Sequence, residues 1–95
     1  MKTIEHKKLG VTARLADLTQ GQLEKYQETL LADDKKPKSA AGFNSLVALA
    51  AIDAGFLLDI ESSAALKDWK PPAVRWLTEQ VIAFVKEQTE VPLEE

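Results

Sequence analysis

The chain has 95 residues, 45% of them hydrophobic and 28% charged, which is typical of one globular domain and excludes a largely disordered protein. Its net charge of −3 argues against a general electrostatic affinity for nucleic acid or for anionic membranes. The absence of cysteine excludes a disulfide framework and a thiolate metal site.

The first ten residues, MKTIEHKKLG, lack the apolar core of a signal peptide. The longest mainly apolar run, residues 46–58, is too short to cross a bilayer and is interrupted by Asp53. We therefore expect a cytoplasmic protein that does not insert into a membrane.

Apolar and polar residues alternate along residues 1–18, as in half-buried strands. The residues that alternate with Thr, Lys and Arg are Ile4, His6, Leu9, Val11, Ala13 and Leu15. Gly10 offers a position for a turn. We predict a short antiparallel hairpin of residues 2–8 and 11–16. Because an isolated hairpin is marginally stable in water, it must pack on the helices or pair with another chain.

A capping box marks the start of the first helix, with Thr19 as N-cap and Gln22 three residues later. The helix is predicted over residues 20–32, with Leu23, Tyr26, Leu30 and Leu31 on its inner face. A polar loop with a basic cluster, Lys35, Lys36 and Lys38, follows. Two aspartates precede this cluster and no aromatic residue interrupts it, so we interpret it as a solvated loop.

The second helix is predicted over residues 40–54, after Ser39 as N-cap. It is apolar almost all round, which is typical of a helix that is central in the core or buried against a partner. Gly55 suits the left-handed position after a helix, and Phe56 suits the apolar contact that often follows it.

Residues 57–70 are predicted to be a connector with one short helical turn near 63–68. Pro71 and Pro72 then favour the start of a long helix over residues 72–90, because proline is preorganised for a first turn. Its apolar stripe recurs every three or four residues and comprises Val74, Leu77, Val81, Phe84 and Val85. Pro92 would end it.

These elements predict one mainly α domain over residues 1–95, with a hairpin or arm in 1–18 and a helical core in 19–92. The helices would form a small bundle of three to four members around the 40–54 segment. The predicted core comprises Leu23, Tyr26, Leu30, Phe43, Leu46, Val47, Ala50, Leu77, Val81 and Phe84.

The sequence offers no constellation typical of an enzyme, and we expect no catalytic, metal or cofactor site. His6 is the one histidine, and without a cysteine it makes a poor metal site. The spacing of Asp53 and Asp59 does not force an acid–base pair. The sequence lacks a phosphate loop and a nucleophile elbow.

The sequence allows two interpretations of Trp69 and Trp76. Packing on the core is the commoner role of such residues. Beside Arg75, one of them could instead belong to a protein-binding face, since tryptophan and arginine are typical interface anchors. Arg75 and Glu79 are predicted to form a surface ion pair four residues apart.

The pattern W-K-P-x-A-V-R-W-L-x-E-Q-V, followed by T-x-V-P, resembles small proteins encoded in the tail-assembly regions of tailed bacteriophages and prophages. The resemblance covers residues 69–92, about a quarter of the chain, and its nearest functional label is a tail assembly chaperone. It implies a small, acidic, largely helical protein that keeps the apolar tape measure protein soluble until the tail tube forms. On this resemblance the partner-binding face would include Phe43, Leu46, Trp69 and Trp76, with Arg75 beside them.

The leading hypothesis is therefore a non-enzymatic protein-binding module in phage or prophage morphogenesis. Its partner would be the tape measure protein, another tail protein or a further copy of itself. One alternative is a nucleic-acid-associated regulator using the basic loop with Lys7, Lys8 and Arg14, against which the net charge argues. The other is a structural subunit of the virion.

Overall fold

The computed structural model describes residues 2–32, 37–60 and 63–89, and shows a mainly helical α+β fold. Strands β1 (Lys2–His6) and β2 (Val11–Leu15) form the predicted hairpin. Helices α1 (Gln20–Leu31), α2 (Ala40–Ala54) and α3 (Pro71–Thr89) lie within a residue or two of their predicted bounds. The predicted short turn is a 3-10 helix over Ser63–Asp68.

A third strand, β3 (Leu57–Leu58), lies in the segment for which we predicted only a connector. It pairs antiparallel with β2, so the sheet order is β1-β2-β3. The pairing continues where the Ala16 amide donates to the Phe56 carbonyl at 2.8 Å. The prediction missed β3 because two residues are too few for a periodic pattern.

Local capping sets the helix ends as predicted. The Thr19 hydroxyl accepts from the Gln22 amide, and the Gln22 side chain accepts from the Thr19 amide, which completes the capping box. Ser39 caps α2 by accepting from the Gly42 amide at 3.0 Å. Gly55 has φ +90°, and the amides of Gly55 and Phe56 donate to carbonyls of the last turn of α2, which is a Schellman ending.

The core lies where α2 packs against both α1 and α3 and where the inner face of the sheet meets them. Of the predicted core, Tyr26, Leu46, Val47, Ala50, Leu77, Val81 and Phe84 are buried, and Leu23 and Leu30 are half-buried. The Thr78 hydroxyl, also buried, donates to the Asn44 carbonyl at 3.0 Å and joins α3 to α2. Within the described ranges, none of the helices combines the length and apolar character needed to cross a bilayer.

Two apolar residues lie outside the core against prediction. Phe43 is 44% exposed, because it lies in the first turn of α2, before Leu46 and Val47, where none of residues 40–45 is buried. Leu31 is 78% exposed, because it occupies the last position of α1, beyond the half-buried Leu30. The core instead includes four residues that the prediction omitted, Phe56 after α2 and Leu57, Ile60 and Leu66 of the connector.

The hairpin lies along α3 in the opposite direction. Lys2 at the start of β1 is 3.7 Å from the Glu87 carboxylate near the end of α3. His6 at the end of β1 contacts Trp76 near the beginning of α3. The hairpin turn therefore lies beside the first turns of α3.

Candidate functional site

A groove of about 580 Å³ lies where the hairpin turn, the start of α2 and the start of α3 meet. We call it the hairpin groove. Its lining comprises His6, Lys8, Leu9, Ala41, Asn44, Pro71, Pro72, Arg75, Trp76 and Glu79. The groove thus depends on tertiary packing of three separate segments.

An aromatic contact fixes the hairpin turn against α3. The rings of His6 and Trp76 meet edge to face, with centroids 5.5 Å apart and planes at 90°. The Leu9 amide donates to Nδ1 of His6 at 3.3 Å, and the Gly10 amide donates to the His6 carbonyl at 2.8 Å. Gly10 has φ +68°, a left-handed conformation that glycine adopts without steric cost. His6 therefore acts as a support for the turn that carries Leu9 into the groove.

The charges of the groove lie at its rim. Nε of Arg75 is 3.5 Å from the Glu79 carboxylate, and both side chains are well exposed, which is the surface pair expected from the sequence. Such an exposed pair is weak and leaves the other guanidinium donors free for a ligand. Lys8 is exposed on the opposite side, in the hairpin turn. Two cations and one carboxylate therefore border an apolar floor.

Trp69 lines a second, smaller cavity of about 220 Å³ next to the hairpin groove. Val11, Lys70 and Ala73 contribute to it, and Leu9 lines both cavities. Trp69 and Trp76 are both half-buried and packed against the core. Each tryptophan therefore packs on the core and keeps part of its surface accessible. This is compatible with both interpretations made from the sequence, core packing and partner binding.

The five residues expected to bind a partner are not brought to one place. Arg75 and Trp76 line the hairpin groove, and Trp69 lies in the adjoining cavity. Phe43 is partly exposed but does not line the groove. Leu46 is only 7% exposed, so little of its side chain is accessible at the surface.

Several groove residues were not predicted from the sequence. Pro71 and Pro72 signalled only a helix start, yet they form one wall of the groove. Leu9, Ala41 and Asn44 come from the hairpin turn and from the first turns of α2. The apolar Leu9 beside the turn glycine was the one available signal, since a large apolar residue at a hairpin tip needs a surface to pack on.

Arg14 forms an ion pair with Asp59 within the fold. Its Nε and Nη2 donate to the two carboxylate oxygens of Asp59 at 2.9 and 2.8 Å, which joins β2 to the residue after β3. Hydrogen bonding to Asp59 raises the pKa of Arg14. Hydrogen bonding from Arg14 lowers the pKa of Asp59, although desolvation opposes the change. This bidentate geometry removes Arg14 from any basic surface formed with Lys7 and Lys8.

Within the described ranges, no three His, Asp or Glu side chains lie close enough together to hold a metal ion. Comparisons of the chain with protein-family models, with curated protein sequences and with solved structures gave no match. The functional conclusion therefore rests on the geometry of the hairpin groove and on the sequence motif that supplies one of its walls.

Proposed function

We propose that this protein is a non-enzymatic protein-binding module whose binding site is the hairpin groove. The observation that carries the proposal is the placement of Trp76 and Arg75 together in an open, largely apolar groove. Tryptophan and arginine are the residues most enriched among those that dominate binding energy at protein interfaces. The edge of Trp76 would receive an apolar side chain of the partner, and Arg75 would fix its polar flank.

The shape of the groove favours a segment of another polypeptide as its ligand. One wall is a helix, the other is a hairpin turn, and the groove is open to solvent. A helix or an extended segment can lie in such a groove with one or two anchoring side chains. Among the described residues, Arg14, Tyr26 and Asp59 have a shifted pKa, and none of these three lines the groove.

We further propose that the module acts in phage or prophage morphogenesis, in the manner of a tail assembly chaperone in the cytoplasm of the bacterial host. What supports this setting is the overlap between the motif and the groove. Four residues fixed by the motif, Pro71, Arg75, Trp76 and Glu79, line the groove. On this proposal the partner is the tape measure protein or another tail protein.

The proposal is tested by affinity capture from bacteria that express the tail genes of the parent phage or prophage. Tagged wild-type protein is compared with Arg75→Glu, which reverses a charge at the groove, and with Lys25→Glu, which makes the same change on exposed α1. We expect a tail-region protein to be retained near stoichiometrically by the wild type and by Lys25→Glu, and lost with Arg75→Glu.

Other results of the same capture would contradict the proposal. Equal retention by both variants would place binding away from the groove. Salt-sensitive retention of nucleic acid would favour the regulator, because neutralising phosphates makes affinity fall steeply with salt. Mass spectrometry of purified particles separates a chaperone from a structural subunit, since only the subunit remains in the virion.

A further inference from the structure

The sequence beyond α3 has a composition complementary to the hairpin groove. Residues 90–95, EVPLEE, combine three glutamates with Val91, Pro92 and Leu93. The groove combines the apolar surfaces of Leu9, Trp76 and two prolines with two cations and one carboxylate. We propose that residues 90–95 of one molecule bind in the hairpin groove of a second copy of the chain. This inference rests on the proposed function, because it requires that the groove bind a peptide segment.

Residues 90–95 match the hairpin groove both in their apolar residues and in their charges. A proline beside an aromatic ring is a recurrent mode of peptide recognition, and it restricts the conformations that binding must order. Pro92 and Leu93 would cover the edge of Trp76. The glutamates on either side would then face Lys8 and Arg75 across the rim.

The occupant must come from another molecule, because Pro92 and Leu93 cannot reach Trp76 of their own chain. Trp76 precedes Thr89 by 13 positions of α3, which is about 20 Å along the axis at about 1.5 Å per residue. Leu93 follows Thr89 by four positions, which span at most about 14 Å even when fully extended. The end of α3 also lies beside Leu18, whose amide donates to the Gln88 side chain at 3.2 Å, and thus away from the hairpin turn.

A contact between the groove of one copy and the 90–95 segment of the next is heterologous. Such contacts close into a ring or continue as an open chain, whereas an isologous dimer stops at two copies. We therefore expect association that depends on concentration and that can exceed a dimer.

The test is sedimentation velocity of the whole chain over a range of concentrations. The groove variant is Lys8→Glu with Arg75→Glu, and the segment variant replaces Glu90, Glu94 and Glu95 by lysine. Each variant alone opposes like charges at the contact and should associate at least about tenfold more weakly than the wild type. Mixing the two variants opposes unlike charges at both contacts and should restore association.

The matched control is Lys25→Glu with Lys67→Glu, which makes the same charge change on exposed residues outside the groove and should associate like the wild type. Restoration in the mixture shows that both variants are folded. A wild type that is monomeric at every concentration would overturn the inference, as would association unchanged in both variants or not restored by mixing. Capture of a tail protein that still depends on Arg75 would then leave the proposed function standing.

Discussion

Replacing Phe56 with alanine should lower the free energy of unfolding by about 3–5 kcal/mol, the usual cost of truncating a buried phenylalanine. Phe56 is fully buried and contacts both α1 and α3. Its ring meets that of Tyr26 on α1 at 5.5 Å, in an edge-to-face contact. It also stacks on Phe84 of α3, with centroids 6.3 Å apart and planes at 24°. The substitution therefore removes two aromatic contacts as well as apolar burial.

The expected loss is large for a domain of this size. Each aromatic contact adds about 0.5–1.5 kcal/mol beyond burial, so the two account for about 1–3 kcal/mol of the total. A domain of 95 residues has a stability of about 5–14 kcal/mol. The midpoint of thermal unfolding should fall by about 12 °C or more, at about 4 °C or more per kcal/mol.

Urea unfolding followed by far-ultraviolet circular dichroism measures this loss, provided that the denaturant slope is unchanged. Phe43→Ala is the matched control, because it makes the same chemical change at a side chain that is 44% exposed. We expect it to cost less than about 1 kcal/mol, as surface substitutions do. Equal costs at the two positions, or a loss of less than about 1 kcal/mol at Phe56, would refute the assignment of the core.

Three further predictions concern ionisation and the backbone. Tyr26 is the one tyrosine, and burial raises the pKa of its phenol above 10.0, so an ultraviolet titration of tyrosinate should have its midpoint above that value. Because the pKa of Tyr26 is raised in the folded state, the stability of the protein should fall as pH rises above 10. Urea midpoints should fall less in Tyr26→Phe than in the wild type over this pH range. An identical fall in the two proteins would contradict the prediction. Hydrogen bonds from Arg14 lower the pKa of Asp59 below 3.8, so its contribution is present above that pH and is lost on further acidification. Asn tolerates the positive φ at position 59, so Asp59→Asn is a suitable variant. Urea midpoints measured at a series of pH values should fall less on acidification in this variant than in the wild type. An unchanged pH dependence would count against the ion pair of Arg14 with Asp59. Gly55→Ala should lower the free energy of unfolding by about 1–2 kcal/mol, because alanine is strained at the φ of +90° that Gly55 adopts. The added Cβ would lie 3.7 Å from the Gln22 side-chain nitrogen, which is ordinary contact, so no steric clash adds to this cost. An unchanged urea midpoint would contradict the prediction.

The helices could be predicted from the sequence because their signals are local. Thr19 with Gln22, Ser39 and Gly55 each act on residues within a few positions of themselves, so the cap and its hydrogen bonds can be inferred together. The buried stripe of α3 likewise follows from its period. The hairpin was also within reach, because β1 and β2 alternate and are joined by four residues.

The errors concern contacts that are distant in sequence. Leu57 and Leu58 form a strand only because β2, more than 40 positions earlier, offers an edge to pair with. Phe43 and Leu31 have the right residue type and period but lie where the described fold does not bury them. Hydrophobic character therefore predicted the faces of the helices better than it predicted how far along each helix burial extends.

The hairpin groove was predictable only in part for the same reason. Trp76 and Arg75 were identified by residue type, and they are adjacent in the chain. Their partners in the groove come from the hairpin turn and from α2, about 30 or more positions earlier. Nothing local in the sequence brings Leu9 or Asn44 to α3.

The central position of β2 also determines the order in which the chain can complete its structure during synthesis. β2 can pair with β1 once the hairpin has left the ribosome, but an isolated hairpin is only marginally stable, and the second edge of β2 is paired only after Leu57 and Leu58 have emerged. Chains are made at about 5–20 residues per second, so this edge stays open for about 2–8 seconds after β2 emerges. Until the end of that interval Leu15 lacks its strand partner Leu57, and Tyr26, once made, lacks the ring of Phe56. A nascent chain of this protein therefore presents an apolar surface and an unpaired strand edge together, the combination that cellular chaperones recognise.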